Sequence, residues 1–260
     1  MKRFCEDLWK NRHAMHGLLY VNIRTTVATT RLGVLWWILD PLFLMLIYYF
    51  VVKMVFDRGG EDYHLFALCG IVTFQAFSRS ISLCTSSLTK NGGLIRQASL
   101  PMAAYVFITP LVQTFFYAIG LLIIVIWNAP VAGWHTLSVL AILPLMVLMP
   151  FALGLFLSVS EVFTRDTGKL LSYVLRFGFY LSPVLYAPER VYNLDVPQWI
   201  LALYQLNPMV HVITWVREVL LYGRALDWSV VAVIYVATLV LVQCGLIFFR
   251  RAARQVPKRL

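Results

Sequence analysis

The sequence has few charged residues for its length. Only 13% of its 260 residues are charged, against roughly a quarter in a typical soluble domain, whereas 60% are hydrophobic and the mean hydropathy is +0.77. This shortage of charge excludes an ordinary soluble domain. It predicts an all-α polytopic membrane protein.

The chain also lacks the motifs of catalysis and metal binding. Its four cysteines form no CxxC pair, its histidines have no HExxH spacing, and the Gly168-Lys169 dipeptide has Phe163 where a P-loop requires glycine. We therefore expect no catalytic residue, metal or cofactor on this chain. If ATP drives transport, the nucleotide and its Mg²⁺ must bind to a separate subunit.

Acidic residues are scarcer still, 12 against 22 Lys and Arg, which gives a formal charge of +10. Such an excess could indicate a nucleic-acid partner. In a membrane protein it more often lies in cytoplasmic loops and tails, where it sets orientation and contacts anionic lipid. The composition favours the second explanation, so no nucleic-acid partner is expected. The first thirty residues also lack the apolar core and cleavage site of a secretory signal.

Apolar runs close to the length that crosses a bilayer as a helix, about 20 residues, occur six times. They comprise residues 32–56, 65–88, 101–127, 137–159, 170–186 and 228–249. Basic residues cluster before the first run, in alternate loops and after the last run. The positive-inside rule therefore places both termini in the cytoplasm, with residues 1–31 and 250–260 flanking a six-helix transmembrane domain, 32–249.

The segment before the first run carries an apolar stripe at helical spacing. The stripe consists of Phe4, Leu8, Met15, Leu19 and Ile23. It predicts an N-terminal amphipathic helix in the cytoplasmic interface of the membrane. The alternative is an ordinary helix packed on its own bundle.

Residues 188–227, expected on the outer side, contain two apolar runs, 198–206 and 209–222. Both are too short to cross a hydrocarbon core of about 30 Å. Asn207 and Pro208 supply an N-cap and a first-turn proline for the second run. The two short helices are predicted to be re-entrant and to line an exit, or alternatively to lie flat as an external lid.

Arg79 is the charge within an apolar run that has most polar neighbours, including Ser78 and Ser80. A charge at membrane depth is expensive, so this face is expected to meet a protein interface or a hydrated lumen. Aromatic residues, 15% of the chain, could stack on sugar rings along such a path. The channel-lining candidates are Trp36, Tyr48, Tyr49, Phe74, Phe77, Arg79, Phe177 and Tyr180.

Five strings in a fixed order carry a family resemblance. They are RLGVLW with DP at 31–41, LIR ahead of LP at 94–101, VFTRD at 162–166, YLSPVLY at 180–186, and LNP with RE at 206–218. Together they resemble the permease subunit of type-2 ABC exporters for bacterial surface polysaccharides, namely the O-antigen, capsule and teichoic-acid exporters.

The resemblance implies a homodimer of this chain in the bacterial inner membrane, paired with two copies of a nucleotide-binding ATPase subunit. The implied substrate is a polymer on undecaprenyl diphosphate or another lipid, with O-antigen ahead of capsule. In the family an interface helix and a Leu-Gly turn flank the cytoplasmic entrance. These correspond here to residues 4–23 and to Leu32-Gly33. Arg24 and Arg31 are then expected at the same entrance, where each either meets the anionic head group or anchors the chain. The Asp-Leu-basic-aromatic run that often precedes the family's turn is absent.

Further residues take their expected roles from the same resemblance. The ATPase-coupling candidates are Asn91, Leu94, Arg96, Arg165 and Asp166, and the external helices contain Asn207, Pro208, Arg217 and Glu218. Two other functions stay open. A type-2 ABC drug or small-lipid exporter would lack the external helix pair, and a multipass enzyme on lipid-linked sugars would need better placed carboxylates than Asp40 and Glu161.

Overall fold

A computed structural model of the protein describes residues 1–28, 31–60, 62–97, 100–252, 255–256 and 259, without the side chains of Lys2 and Arg3. Some expectations fall outside the described residues. They concern Glu61 in the first external loop, Ala98 and Ser99 at the end of a cytoplasmic loop, and Arg254 and Lys258 in the basic tail.

Every regular element in these described ranges is a helix. The α-helices are α1 (Lys2–Lys10), α2 (Arg12–Ala28), α3 (Leu35–Tyr49, continued by a π-helix Phe50–Val55), α4 (Tyr63–Thr85), α5 (Ser87–Lys90), α6 (Gly92–Gln97), α7 (Met102–Trp127), α8 (Ile142–Phe163, preceded by 3₁₀ segments Ala129–Val131 and Trp134–Ala141), α9 (Thr167–Leu181), α10 (Glu189–Tyr192), α11 (Gln198–Leu206), α12 (Pro208–Leu220) and α13 (Trp228–Ala252).

Five helical stretches of the described chain are long and apolar enough to cross a membrane. They are Leu35–Val55, Tyr63–Thr85, Met102–Trp127, Trp134–Phe163 and Trp228–Ala252. Each overlaps one of the six apolar runs, so the all-α membrane architecture agrees with the sequence. α4 lies at the centre, where it contacts α3, α7, α8, α9 and α12, and α13 packs along α8.

The run at 170–186 differs from the prediction of a sixth full-length helix. It forms α9, whose 15 residues measure only about 22 Å. The helix ends because Ser182 precedes Pro183, which disfavours helical backbone at Ser182 and leaves it extended (φ −91°, ψ 154°). α9 therefore continues into a non-helical segment, residues 182–186, which we call the α9 linker.

The N-terminal segment also differs from the single helix expected over residues 4–23. It forms two helices, α1 and α2, separated at Asn11, whose side-chain amide donates to the Asp7 carbonyl oxygen (2.8 Å). Asparagine favours such breaks because its side chain competes for backbone hydrogen bonds. Phe4 of α1 packs against Phe107 and Phe151, and the apolar residues of α2 pack on α7. A position in the membrane interface stays a prediction.

The α9 linker is bound by one buried arginine of α12. Arg217 is 2% exposed and donates to the carbonyl oxygens of Pro183 (2.5 Å), Val184 (2.6 Å), Tyr186 (3.4 Å) and, in α4, Phe66 (3.2 Å). Its guanidinium carbon also lies 3.4 Å from the Phe66 ring centroid. Arg217 has no carboxylate partner within the described part of the chain, so backbone oxygens supply its hydrogen bonds.

Other side chains complete the hydrogen bonding of the α9 linker. The Tyr63 hydroxyl donates to the Leu185 carbonyl (3.1 Å), and the Asn207 amide donates to the Ser182 hydroxyl (2.9 Å). Non-helical backbone that is shielded from water needs partners of this kind. The linker is thus held by α4 and by both ends of α12.

The close approach of α4 to the linker requires glycine at position 70. A Cβ atom on Gly70 would lie 2.5 Å from the Val184 carbonyl oxygen and 2.7 Å from Nη2 of Arg217. Real Cβ atoms are almost never found so close to other heavy atoms. Gly70 therefore lets α4, the linker and α12 meet at one point.

We predict that Arg217→Leu strongly destabilises the protein. The substitution leaves buried carbonyl oxygens without donors, at about 1–3 kcal/mol for each unsatisfied group. Thermal unfolding of the purified protein in detergent measures the loss. Arg224→Leu is the matched control, because the Arg224 side chain is 69% exposed and pairs with Glu218 at 3.7 Å. Equal losses in the two variants would contradict the prediction.

Candidate functional site

A cleft of about 480 Å³ opens between α3, α4 and α9. Its lining consists of Leu44 and Tyr48 of α3, Phe74, Gln75, Ser78, Arg79 and Ser82 of α4, and Ser172, Leu175, Arg176, Phe179 and Tyr180 of α9. The residues from each helix recur at intervals of three or four, so each helix contributes one face. Aromatic rings, hydroxyl groups and two guanidinium groups share these faces.

The polar part of the cleft contains an ion pair between α3 and α4. Nη2 of Arg79 lies 2.6 Å from Oδ2 of Asp40, and the guanidinium carbon lies 4.8 Å from the Trp37 ring centroid. Trp37 in turn stacks on Phe116 of α7 at 4.4 Å. The pairing offsets the cost of placing two charges within apolar helices.

Asp40 is therefore paired, whereas the sequence suggested an isolated carboxylate. Its partner is 39 residues away in the chain, so no local spacing connects the two. One signal was present in the sequence, namely a carboxylate inside an apolar run, which requires a partner. Arg79, in the second apolar run (65–88), is a basic residue that could supply this partner.

The other part of the cleft is aromatic. The hydroxyl oxygens of Tyr48 and Tyr180 lie 3.2 Å apart, within hydrogen-bonding distance. The Phe179 ring stacks on Tyr48 (5.8 Å) and meets Phe74 edge-on (5.5 Å). Four of the eight channel-lining candidates, Tyr48, Phe74, Arg79 and Tyr180, thus lie on this one surface.

The remaining four candidates lie away from the cleft. Trp36 is exposed near the start of α3, and Tyr49 packs edge-on against His64. Phe77 is buried, and Phe177 is exposed on another face of α9. Arg176, which was not among the candidates, lies in the cleft instead, because positions 176, 172 and 180 share one helical face.

The entrance candidates surround the turn between α2 and α3. Arg24, Arg31 and Leu32 are exposed. Gly33 has a φ of +50° and a Cβ there would lie 3.1 Å from the Val27 carbonyl oxygen. A left-handed conformation this close to the preceding helix favours glycine, so the sharp Leu-Gly turn has a physical basis.

The coupling candidates lie in two short stretches at one end of the bundle. Asn91 connects α5 to α6 and its amide donates to the Ser87 carbonyl (2.7 Å). The exposed members are Leu94 and Arg96 of α6 and Arg165 and Asp166 of the α8–α9 turn. α5 contacts α8, and Ile95 of α6 packs against the same buried cluster as Val162 near the end of α8.

Glu161 fixes the second of these stretches. Its Oε2 accepts a hydrogen bond from the backbone N–H of Gly168 (2.7 Å) in the first turn of α9. A carboxylate is favourable there because the first N–H groups of a helix lack partners. Like Asp40, this carboxylate is engaged, although no pattern in the sequence indicated its partner.

The external candidates begin and end α12. Oδ1 of Asn207 accepts from the Met209 N–H (3.0 Å) and Pro208 is the first residue of the helix, as the sequence predicts. Arg217 is buried, whereas Glu218 pairs with Arg224. A re-entrant course for α11 and α12 stays a prediction.

Comparison with known proteins gives consistent matches over most of the chain. The family model described as ABC-2 type transporter matches residues 15–221. The chain is 23% identical over 234 residues to the O-antigen export system permease protein RfbA of Klebsiella pneumoniae, with 88% of both chains covered. It is 26% identical to the protein of the same name from Myxococcus xanthus, with 82% of both covered. It is 25% identical to the polysialic acid transport protein KpsM of Escherichia coli, covering 91% of this chain and 92% of the relative.

We predict energetic coupling between Asp40 and Arg79. Asp40→Asn and Arg79→Gln should each lower the stability, and the double variant should lose less than the sum. The coupling should be about 1 kcal/mol, because both side chains are about a third or more exposed. Thermal unfolding of the three variants measures it. The exposed pair Asp166–Lys169 (3.5 Å) is the control and should couple less; equal coupling in the two pairs would contradict the prediction.

Proposed function

The chain belongs to the ABC-2 type transporter family, and from this we propose that it is the membrane-spanning permease of an ATP-driven exporter of lipid-linked surface polysaccharide. An O-antigen-type polymer on undecaprenyl diphosphate is the favoured substrate. The relatives that match over more than four fifths of the chain carry the names of O-antigen and polysialic acid transport proteins. A capsular polysaccharide or a teichoic acid is the alternative.

The cleft between α3, α4 and α9 is the observation that carries this proposal. It combines aromatic faces, which can stack on sugar rings without a fixed hydrogen-bond pattern, with Arg79 and Arg176, which lipid would solvate poorly. A surface of this kind suits a hydrated path. In a homodimer, a second copy placed over the cleft would close it into a lumen.

Engagement of the two carboxylates argues against an enzyme on lipid-linked sugars. Asp40 pairs with Arg79, and Glu161 accepts from the Gly168 N–H. Each of the two is thus engaged in a contact within the fold. ATP hydrolysis is assigned to a separate subunit, present in two copies, which would contact the exposed residues of α6 and of the α8–α9 turn.

The sixth crossing is proposed to consist of α9 together with its linker. The helix supplies about 22 Å of a core of roughly 30 Å, and the turns of the linker carry the chain on until the Leu185 carbonyl accepts a hydrogen bond from Tyr63, the first residue of α4. The side-chain partners of the linker make non-helical backbone tolerable at this depth. Six crossings put both termini on the same side of the membrane, which the distribution of basic residues makes the cytoplasm. The membrane is proposed to be the bacterial inner membrane.

The course of α11 and α12 is proposed to be re-entrant. Asn207 and Met209, at the junction of the two helices, line a groove with Phe74, in the middle of α4. Arg217, near the end of α12, contacts Phe66, in the first turn of α4. Eight residues of α4 separate these two levels, about 12 Å, so the junction lies deeper in the bundle than the end of α12.

The entrance is proposed at the turn before α3. Arg24 and Arg31 are exposed beside the sharp turn at Leu32-Gly33. Guanidinium groups match a diphosphate by paired hydrogen bonds. The first contact with the lipid-linked substrate is therefore assigned to these two arginines.

Deletion of the gene tests the transport function. We expect polymer synthesis to continue and surface display to be lost, with display restored by the wild-type gene. The purified chain alone should not hydrolyse ATP. Hydrolysis should appear only when a separate ATPase subunit is present. Robust hydrolysis by the chain alone, or loss of polymer synthesis on deletion, would disprove the proposal.

Single cysteines test the topology. In a variant without native cysteines, residues changed to cysteine at Asn11 and Gln255 should react with a membrane-impermeant reagent only in inside-out vesicles. Gln198→Cys at the start of α11 should react in intact spheroplasts. If Asn11→Cys and Gln255→Cys react on opposite sides, the number of crossings is odd and α9 with its linker does not span.

A further inference from the structure

Arg176 is a guanidinium in the cleft without an anionic partner. It is exposed on the face of α9 that lines the cleft. Within the described part of the chain no carboxylate pairs with it, and its only recorded ring contact is with Tyr173 of the same helix, at 5.7 Å. A charge held at membrane depth needs water or an anionic partner, and the described residues give Arg176 no anionic partner.

Arg79 lines the same cleft from α4 and is only partly satisfied. Its Nη2 binds Asp40, and the described residues provide it with no other hydrogen-bond acceptor. A guanidinium has five N–H donors in a planar fork, so donors remain for a second anion. Arg79 can therefore bind a ligand without giving up Asp40.

The rest of the cleft favours an anion as well. Its lining contains no carboxylate, and the nearby Asp40 leaves a net charge of +1 when both arginines are counted. Ser78, Ser82 and Ser172 place hydroxyl groups on the same faces. Binding of neutral sugars requires hydroxyl and aromatic groups but no net charge. The two arginines therefore indicate a ligand that carries negative charge.

Both arginines lie at a depth where an anion that crosses the membrane needs a positive charge. Arg79 lies six residues before the end of α4 and Arg176 nine residues after the start of α9, about 9 Å and 14 Å from the helix ends that face the cytoplasm in the proposed topology. Both therefore lie within membrane-spanning helices in the proposed topology, whereas Arg24 and Arg31 precede α3. An anion moving through a low-dielectric layer meets its highest cost in the interior, where a fixed positive charge lowers it.

We propose that Arg79 and Arg176 form an oxyanion site within the cleft that binds the phosphate or carboxylate groups of the substrate during its passage. The site rests on the proposed export function and is separate from the entrance at Arg24 and Arg31. The group bound is either the diphosphate that links polymer to lipid or an acidic sugar of the polymer itself.

Binding to the full-length chain in nanodiscs tests the site. The probes are undecaprenyl diphosphate and an oligomer of galacturonic acid, with undecaprenol and a dextran oligomer as their neutral counterparts. All proteins carry Arg24→Gln and Arg31→Gln, so that the proposed entrance does not contribute. Arg176→Gln is compared with Arg190→Gln, which removes the same charge from an exposed position on α10.

We expect Arg176→Gln to weaken binding of at least one anionic probe about tenfold, the loss of one charge-assisted contact, with neutral probes unchanged. Arg190→Gln should have no effect, and Arg176→Lys should retain part of the affinity. A loss for the diphosphate alone identifies the lipid linkage, and a loss for the galacturonate oligomer identifies acidic sugars. Equal affinity of Arg176→Gln and Arg190→Gln for both anionic probes, with equal melting temperatures, would overturn the proposal.

Export in cells separates this inference from the function on which it rests. If the wild-type gene fails to restore surface polymer, the proposed function is wrong whatever the binding results show. If the wild type restores it and Arg176→Gln restores it equally well, with unchanged binding in nanodiscs, only the oxyanion site is wrong.

Discussion

The hydrogen bonds of Arg217 are the constraint on which the arrangement of the bundle depends. α9 stops well short of a full crossing, and the chain then continues without regular structure while still buried. Carbonyl oxygens in such a place must find donors within the protein. Arg217 supplies them for three linker residues and for Phe66 at once, so the positions of α12, α4 and the end of α9 cannot vary independently. These hydrogen bonds therefore also fix the position of the α9 residues that line the cleft.

Two arginines in this bundle show opposite uses of the same side chain. Arg217 is fully enclosed and its donors are occupied by backbone oxygens, which leaves no capacity for a ligand. Arg79 is partly exposed and shares one nitrogen with Asp40, which leaves most of its donors available. The first arrangement gives rigidity, and the second gives a place where something can bind. Burial and the number of occupied donors distinguish an arginine with no capacity for a ligand from one that has donors to spare.

Local signals in the sequence predicted local structure well. Asn207-Pro208 begins a helix and five apolar runs form long helices, because each depends on residues a few positions apart. The turn at Gly33 was implied by the family resemblance instead. The apolar run at 170–186 contains Pro183, which ends the helix at Leu181, so α9 is shorter than the run. Partners distant in the chain, such as Asp40 and Arg79, could not be paired without the fold. The cleft face of α9 is periodic in the sequence, yet which helices it meets is a tertiary property.

The end of α9 also has an electrostatic consequence. The aligned peptide dipoles of a helix leave about half a unit of negative charge at its C-terminus, and Ser182 and Val184, which follow the end of α9, are buried. The positive charge of Arg217 lies against the carbonyl groups that directly follow this end. The backbone thus serves as the counter-ion that a carboxylate would otherwise provide. A chain with 12 acidic residues for 22 basic ones can in this way neutralise a buried cation without using any of its few acids.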